Sequence, residues 1–136
     1  MHIYRTPLAR QVIGCAIEVH ATVGPGLLES MYQHCLAHEL TLQGLSFRQE
    51  VELPLVYKGI PIGIGYRVDF VVEGELVLEL KTVERLLPIH NAQMMTYLRQ
   101  LHLRQGLLIN FNVGRLIDGV RSLLNTRVGD PGPSEP

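Results

Sequence analysis

The sequence predicts an α/β fold, a sheet with helices packed against it, and three observations carry that prediction. Two helix-like segments fill the first third of the chain, opened by Thr6-Pro7 and closed by Gly44. Apolar and polar residues then alternate through 46–82, the period-two pattern of strands. A third helix-like segment starts at Pro88 and leads into the apolar run Leu107–Phe111. The element order is therefore α-α-β-β-β-α-β. At 136 residues the chain can bury one core without disulfides or a structural metal.

Thr6 is a capping residue and Pro7 suits a first helical turn, so the first helix runs from there to about Ala21. Leu8, Val12, Ile13, Ala16, Ile17 and Val19 leave it little polar surface, which predicts burial nearly all round. Val23-Gly24-Pro25-Gly26 interrupts it before a second helix from about Leu27 to Gln43. A glycine loop ahead of a helix is one way to cradle a phosphate. With no preceding strand and no third glycine, a plain inter-helix turn is the better reading.

Strands are expected at about 46–57, 60–72 and 75–82, with turns at Lys58-Gly59 and Glu73-Gly74-Glu75. Pro54 marks the first as an edge strand, bulged or broken at that point. Leu76-Val77-Leu78-Glu79-Leu80 is too apolar for an exposed edge and reads as a central strand. The third helix is expected to reach about Arg104. Residues 115–124 alternate poorly and fit either a strand or a short helix. Residues 1–128 are expected to form a single domain, and the Pro/Gly-rich tail 129–136 to be disordered.

The chemistry lies in the hairpin. Side chains two apart on a strand share a face, so Glu79 and Lys81 are neighbours and Leu80 faces away. With a three-residue loop at 73–75, Asp69 falls opposite Glu79, and cross-strand neighbours stand about 5 Å apart. Two carboxylates and an ammonium then share one patch of an otherwise apolar hairpin. Paired carboxylates hold a hard cation such as Mg²⁺ or Mn²⁺, which keeps waters for substrate and nucleophile. A lysine beside them positions the attacking water and offsets charge building on a phosphate. Weak salt bridges on a solvated strand face are the plain alternative. Like-charge repulsion also predicts that Asp69→Ala and Glu79→Ala stabilise the metal-free chain.

These residues resemble the PD-(D/E)xK nuclease signature, with Asp69 as the first acid and Glu79-Leu80-Lys81 as the E-x-K element. The wider chain resembles the small GxxExxY branch. Its naming motif stands at Gly26-Leu27-Leu28-Glu29-Ser30-Met31-Tyr32, accompanied by I17-E-V-H20, V23-G-P-G26, Y66-R-V-D69, L87-P-I-H-N-A-Q93, Tyr97-Leu98 and G106-L-L-I-N-F111. The resemblance spans about residues 8–124. It implies a restriction-endonuclease-like αβββαβ core, a mixed sheet flanked by helices, with an extra N-terminal helix. It also implies a metal-dependent nuclease acting on nucleic acid, DNA in the first instance. Glu29 would be a third acid, reaching the metal directly or through water, and the Leu80 carbonyl a further ligand. Gln93 and Tyr97, four apart on the third helix, would line the site near the metal-bound water or the phosphate. Tyr97 and Arg104 are candidate contacts to the substrate backbone. A catalytically silent nucleic-acid-binding or protein-interaction subunit is the alternative.

Composition excludes little. The net charge is −1, and no basic groove is evident from it. Residues 1–80 hold five basic and nine acidic side chains against seven and four in 81–136. Cys15 and Cys35 form no metal or redox motif and read as small apolar residues. His34 and His38 are spaced for zinc, but H-E-x-x-H is absent and a solvated helix flank is preferred. No apolar run is long enough to span a membrane, so a cytoplasmic protein is expected, with a homodimer or partner protein left open.

Overall fold

The computed structural model describes residues 6–128, so the predicted tail at 129–136 lies outside the described residues. Helix α1 (Pro7–Val23) and helix α2 (Glu29–Leu42) precede strands β1 (Phe47–Tyr57), β2 (Ile60–Val72) and β3 (Leu76–Lys81). Helix α3 (Pro88–Leu101), strand β4 (Gln105–Asn110), a 3-10 turn (Leu116–Gly119) and strand β5 (Val120–Leu124) complete the order. The ambiguous stretch 115–124 is thus a helical turn and a strand in succession. The strands form one sheet in chain order, antiparallel except for β3 and β4, which run parallel around α3. This is the expected α/β fold, a mixed sheet flanked by helices. β1 lies at the edge and shifts register at Pro54, while β3 lies at the centre.

Thr6 accepts the Ala9 N–H at 3.1 Å and starts α1 with Pro7 in its first turn. The helix is not buried all round. Ala9, Val12, Ile13, Ala16 and Val19 are inside, whereas Ile17 is 44% exposed, because α1 packs on α2 and the sheet from one side only. The turn between the helices is closed by Tyr32. Its hydroxyl donates to the Gly24 carbonyl and accepts the Leu27 N–H, and its ring stacks on Phe111 at 4.3 Å. Gly26, at φ +100°, takes a backbone conformation that a side chain would strain.

Two cores sandwich the sheet. Leu76, Leu78 and Leu80 of β3 pack with α1 and α2, and Val77 faces α3 with Met94 and Leu98. The β1–β2 ribbon changes sides. Phe47 and Phe70 pack toward α1 and α2, yet Val51, Leu53 and Val68 pack toward α3, against simple alternation. The switch falls at Glu50 and Asp69, which the register sets opposite each other, and Glu50 turns the strand with φ +53°. Beyond Leu53 the ribbon leaves the body as an arm. Its residues Leu55, Val56, Tyr57, Ile60, Ile62 and Ile64 are 37–59% exposed.

Candidate active site

β2 and β3 are joined as a ladder from Val72↔Leu76 to Phe70↔Leu78, which sets Asp69 opposite Glu79 as the hairpin arithmetic requires. The backbone ladder stops there, and the carboxylates continue it. Glu79 Oε1 accepts the Asp69 N–H at 2.8 Å, and Asp69 Oδ2 accepts the Leu80 N–H at 2.8 Å. Both side chains are buried, at 8% and 6% exposure. Each therefore satisfies a backbone donor that the parting strands would otherwise orphan.

Burial raises the Asp69 pKa to about 6, and Glu29 and Glu50 push the same way, against the Leu80 N–H and Lys81. Glu79 is pushed up to about 8, by burial first and then by Asp69. Two carboxylates held this close do not both ionise readily without a cation. The side chain of Lys81, half-buried at the end of β3, has no hydrogen bond or ion pair among the described residues, though its charge acts on both acids.

Two helices close the site. Glu29 opens α2 and is half-buried; burial raises its pKa while Lys81 lowers it, and its charge acts on both Asp69 and Glu79. On the other side, Tyr97 of α3 is buried edge-on against Tyr66, with ring centroids 5.6 Å apart. Burial and then the two acids raise its pKa, so the phenol stays neutral. Gln93 lies one turn earlier, half-buried, with no side-chain hydrogen bond among the described residues.

The oxygen donors suit a hard cation. Among the described residues no three His, Cys, Asp or Glu side chains are placed to hold an ion by themselves. Two carboxylates with waters and a backbone carbonyl remain, which is how Mg²⁺ is commonly bound. Glu29 then fits a water-mediated role better than direct ligation.

Arg104 does not lie on the third helix, which was expected to reach it. α3 ends at Leu101 and His102 turns left-handed, so Arg104 leaves the helix and bonds the Val128 carbonyl at 2.8 Å. It lines a cleft with Leu76 and Gln105, at the opposite end of β3 from Lys81. Five residues of strand separate the two ends, roughly 16 Å. No local pattern in the sequence marks Glu50 or Tyr66 as a neighbour of the site. Glu50 reaches Asp69 only through its left-handed backbone, and Tyr66 meets Tyr97 only across two elements.

A family model described as the PD-(D/E)XK nuclease superfamily matches residues 6–123. The chain belongs to that superfamily. No curated protein and no solved structure matches it. Nucleases of the PD-(D/E)XK superfamily generally use divalent metals.

Proposed function

We propose that this is a cytoplasmic, divalent-metal-dependent nuclease of the GxxExxY branch, hydrolysing phosphodiester bonds in DNA. One observation carries the reading. Two buried carboxylates on parting strands are raised in pKa, by burial first, and a half-buried lysine with no ion pair among the described residues lies two residues along. The branch assignment is supported by Gly26, Glu29 and Tyr32, the motif residues that shape the inter-helix turn and aim Glu29 at the acids.

Asp69, Glu79 and the Leu80 carbonyl would hold Mg²⁺ or Mn²⁺, with Glu29 acting through water. The bound cation supplies Lewis acidity toward the phosphoryl oxygen. Lys81 positions the attacking water and compensates charge gathering on the phosphate. Gln93 orients that water or a phosphate oxygen through its free amide. Tyr97, kept neutral, donates its hydroxyl hydrogen to the substrate backbone. The test is cleavage of single- and double-stranded DNA and RNA in Mn²⁺. A wild-type protein that cuts none of them and gains no stability from the metal would sink the reading.

The apolar arm favours a second reading, an interaction subunit that binds a partner protein or a second copy. Six large apolar residues exposed together are unusual on a monomer. Sedimentation of wild type beside Val56→Lys/Ile62→Lys separates that role from cleavage.

A further inference from the structure

A second cleft opens past the ends of β3 and β4. Its volume is about 300 Å³, and it is lined by Glu84, Arg85, Leu86, Asn110, Asp118 and Arg121, among others. Asn110 pairs with Lys81 across the parallel strands, so the cleft begins one strand from the lysine, roughly 5 Å away.

Its floor is fixed. Asn110 is 2% exposed, and its Oδ1 accepts the N–H groups of Val83 and Asn112 while its Nδ2 donates to the Val83 carbonyl at 2.8 Å. That side chain ties the loop after β3 to the end of β4. The far wall approaches so closely that a Cβ on Gly119 would overlap the Asn110 carbonyl oxygen. The cleft is therefore preformed.

Arg121 and Arg85 are its two cations. Arg121 of β5 donates through Nη1 to Asn91 Oδ1 of α3 at 2.8 Å, which locks the guanidinium and leaves four of its five N–H donors without a hydrogen-bond partner among the described residues. Arg85 is exposed, with no ion pair among the described residues. His90 joins the two regions, because both Lys81 and Arg121 act on it and, after burial, help to lower its pKa. The Leu87 N–H donates to His90 Nδ1 at 2.9 Å, so the imidazole is read as the Nε2–H tautomer. Glu84 and Asp118 belong to the same cleft, but both are exposed, whereas Arg121 is half-buried.

We propose that this cleft binds the phosphate of a nucleotide adjacent to the scissile phosphodiester, with Arg121 as its fixed cation and Arg85 as its exposed one. The proposal rests on the nuclease reading and extends it. A planar guanidinium held by one side-chain bond presents its remaining donors to phosphate oxygens in paired fashion. A strand bound across Lys81 and this cleft would follow the ends of β3 and β4. The exposed Glu84 carboxylate would weaken binding, so its removal is informative.

The test is salt-dependent binding of labelled single- and double-stranded oligonucleotides without metal, and cleavage kinetics in Mn²⁺. The proteins are wild type, Arg121→Gln, Arg121→Lys, Arg85→Gln, Glu84→Gln and the control Arg99→Gln on the outer face of α3. Each lost phosphate contact should reduce the slope of log affinity against log salt by about 0.7–0.9. Arg121→Gln and Arg85→Gln should raise KM about tenfold with kcat and Mn²⁺ affinity unchanged. Arg121→Lys should keep the slope and lose part of the affinity, and Glu84→Gln should bind more tightly. Melting temperatures check folding; because Arg85 is exposed, Arg85→Gln reports even where an Arg121 variant unfolds. Wild type that binds and cuts while both glutamine variants match it would overturn the cleft and leave the nuclease reading standing. Wild type that binds but cuts nothing, with slopes lowered in the variants, would overturn that reading and keep the cleft. No binding by wild type would overturn the cleft directly.

Discussion

Asp69 and Glu79 each accept the other strand's backbone N–H, so the carboxylates bridge β2 and β3 where the ladder between them ends. The two acids are structural acceptors and, in the proposed reading, metal ligands. The two roles respond differently to substitution.

The first prediction concerns pH without metal. Asp69 and Glu79 titrate at 3.8 and 4.5 in an unfolded chain and at about 6 and 8 when folded. Raised values mean that the folded state holds protons the unfolded state has released. Their stabilising contribution is thus complete below about pH 4 and is lost as pH rises through about 6 and then 8. Melting temperature measured in EDTA from pH 4 to 9 should fall across that window. Glu79→Gln should flatten the upper part, and Mn²⁺ should restore wild type at pH 8.

Alanine and amide substitutions should separate. Repulsion alone predicts that Asp69→Ala and Glu79→Ala stabilise, but each leaves a buried N–H without its acceptor, a loss of about 1–3 kcal/mol. Asp69→Asn and Glu79→Gln keep a carbonyl acceptor and remove a charge. Urea denaturation in EDTA at pH 8 should place both amide variants above wild type and both alanine variants below them. All four should lose the calorimetric signal of Mn²⁺ binding.

Lys81→Met should lower Mn²⁺-dependent cleavage about 100-fold or more, in the range expected for losing a group that handles the nucleophile. Metal binding should survive, since Lys81 donates no bond that shapes the carboxylates. Single-turnover kinetics beside calorimetry make the distinction.

Tyr32→Phe removes a hydroxyl bonded to Gly24 and Leu27 but keeps the ring on Phe111. Stability should drop by about 1–2 kcal/mol, the scale of lost buried hydrogen bonds. Activity should fall further than stability explains, because the turn sets the position of Glu29. Comparison with Glu29→Gln tests the link.

Arg104→Gln should leave oligonucleotide affinity and cleavage unchanged and lower the melting temperature modestly. Its guanidinium bonds the Val128 carbonyl, far from the acids.

The sequence carries most of the fold because the informative residues are local. Thr6-Pro7, Gly44 and Gly74 punctuate the elements, and the apolar run of β3 identifies a central strand. The opposition of Asp69 and Glu79 follows from one loop length. Other features depend on the chain's path in space. The strand before Asp69 reverses its faces through a left-handed glutamate, and no residue pattern announces that. Arg104 fits a helical stripe, but the helix stops three residues earlier, at Leu101, where His102 turns left-handed. Arg121 and Lys81 are 40 positions apart in sequence, and their charges both act on His90 only because the crossover at α3 brings β3, β4 and β5 side by side.

The reversal of faces at Glu50 and Asp69 sets the chemistry on a seam between the two apolar layers rather than inside either one. Phe70 and Leu78 hold the sheet from one side and Val68 and Val77 from the other, while the acids lie where those layers hand over. In the proposed reading, a change at the seam would therefore abolish catalysis and leave both layers intact. Under relaxed selection the acids would be open to replacement by amides, which are expected to fold better without metal. A lineage built this way can shed its chemistry in a single step and persist as a scaffold, so intact acids in a descendant report continued use.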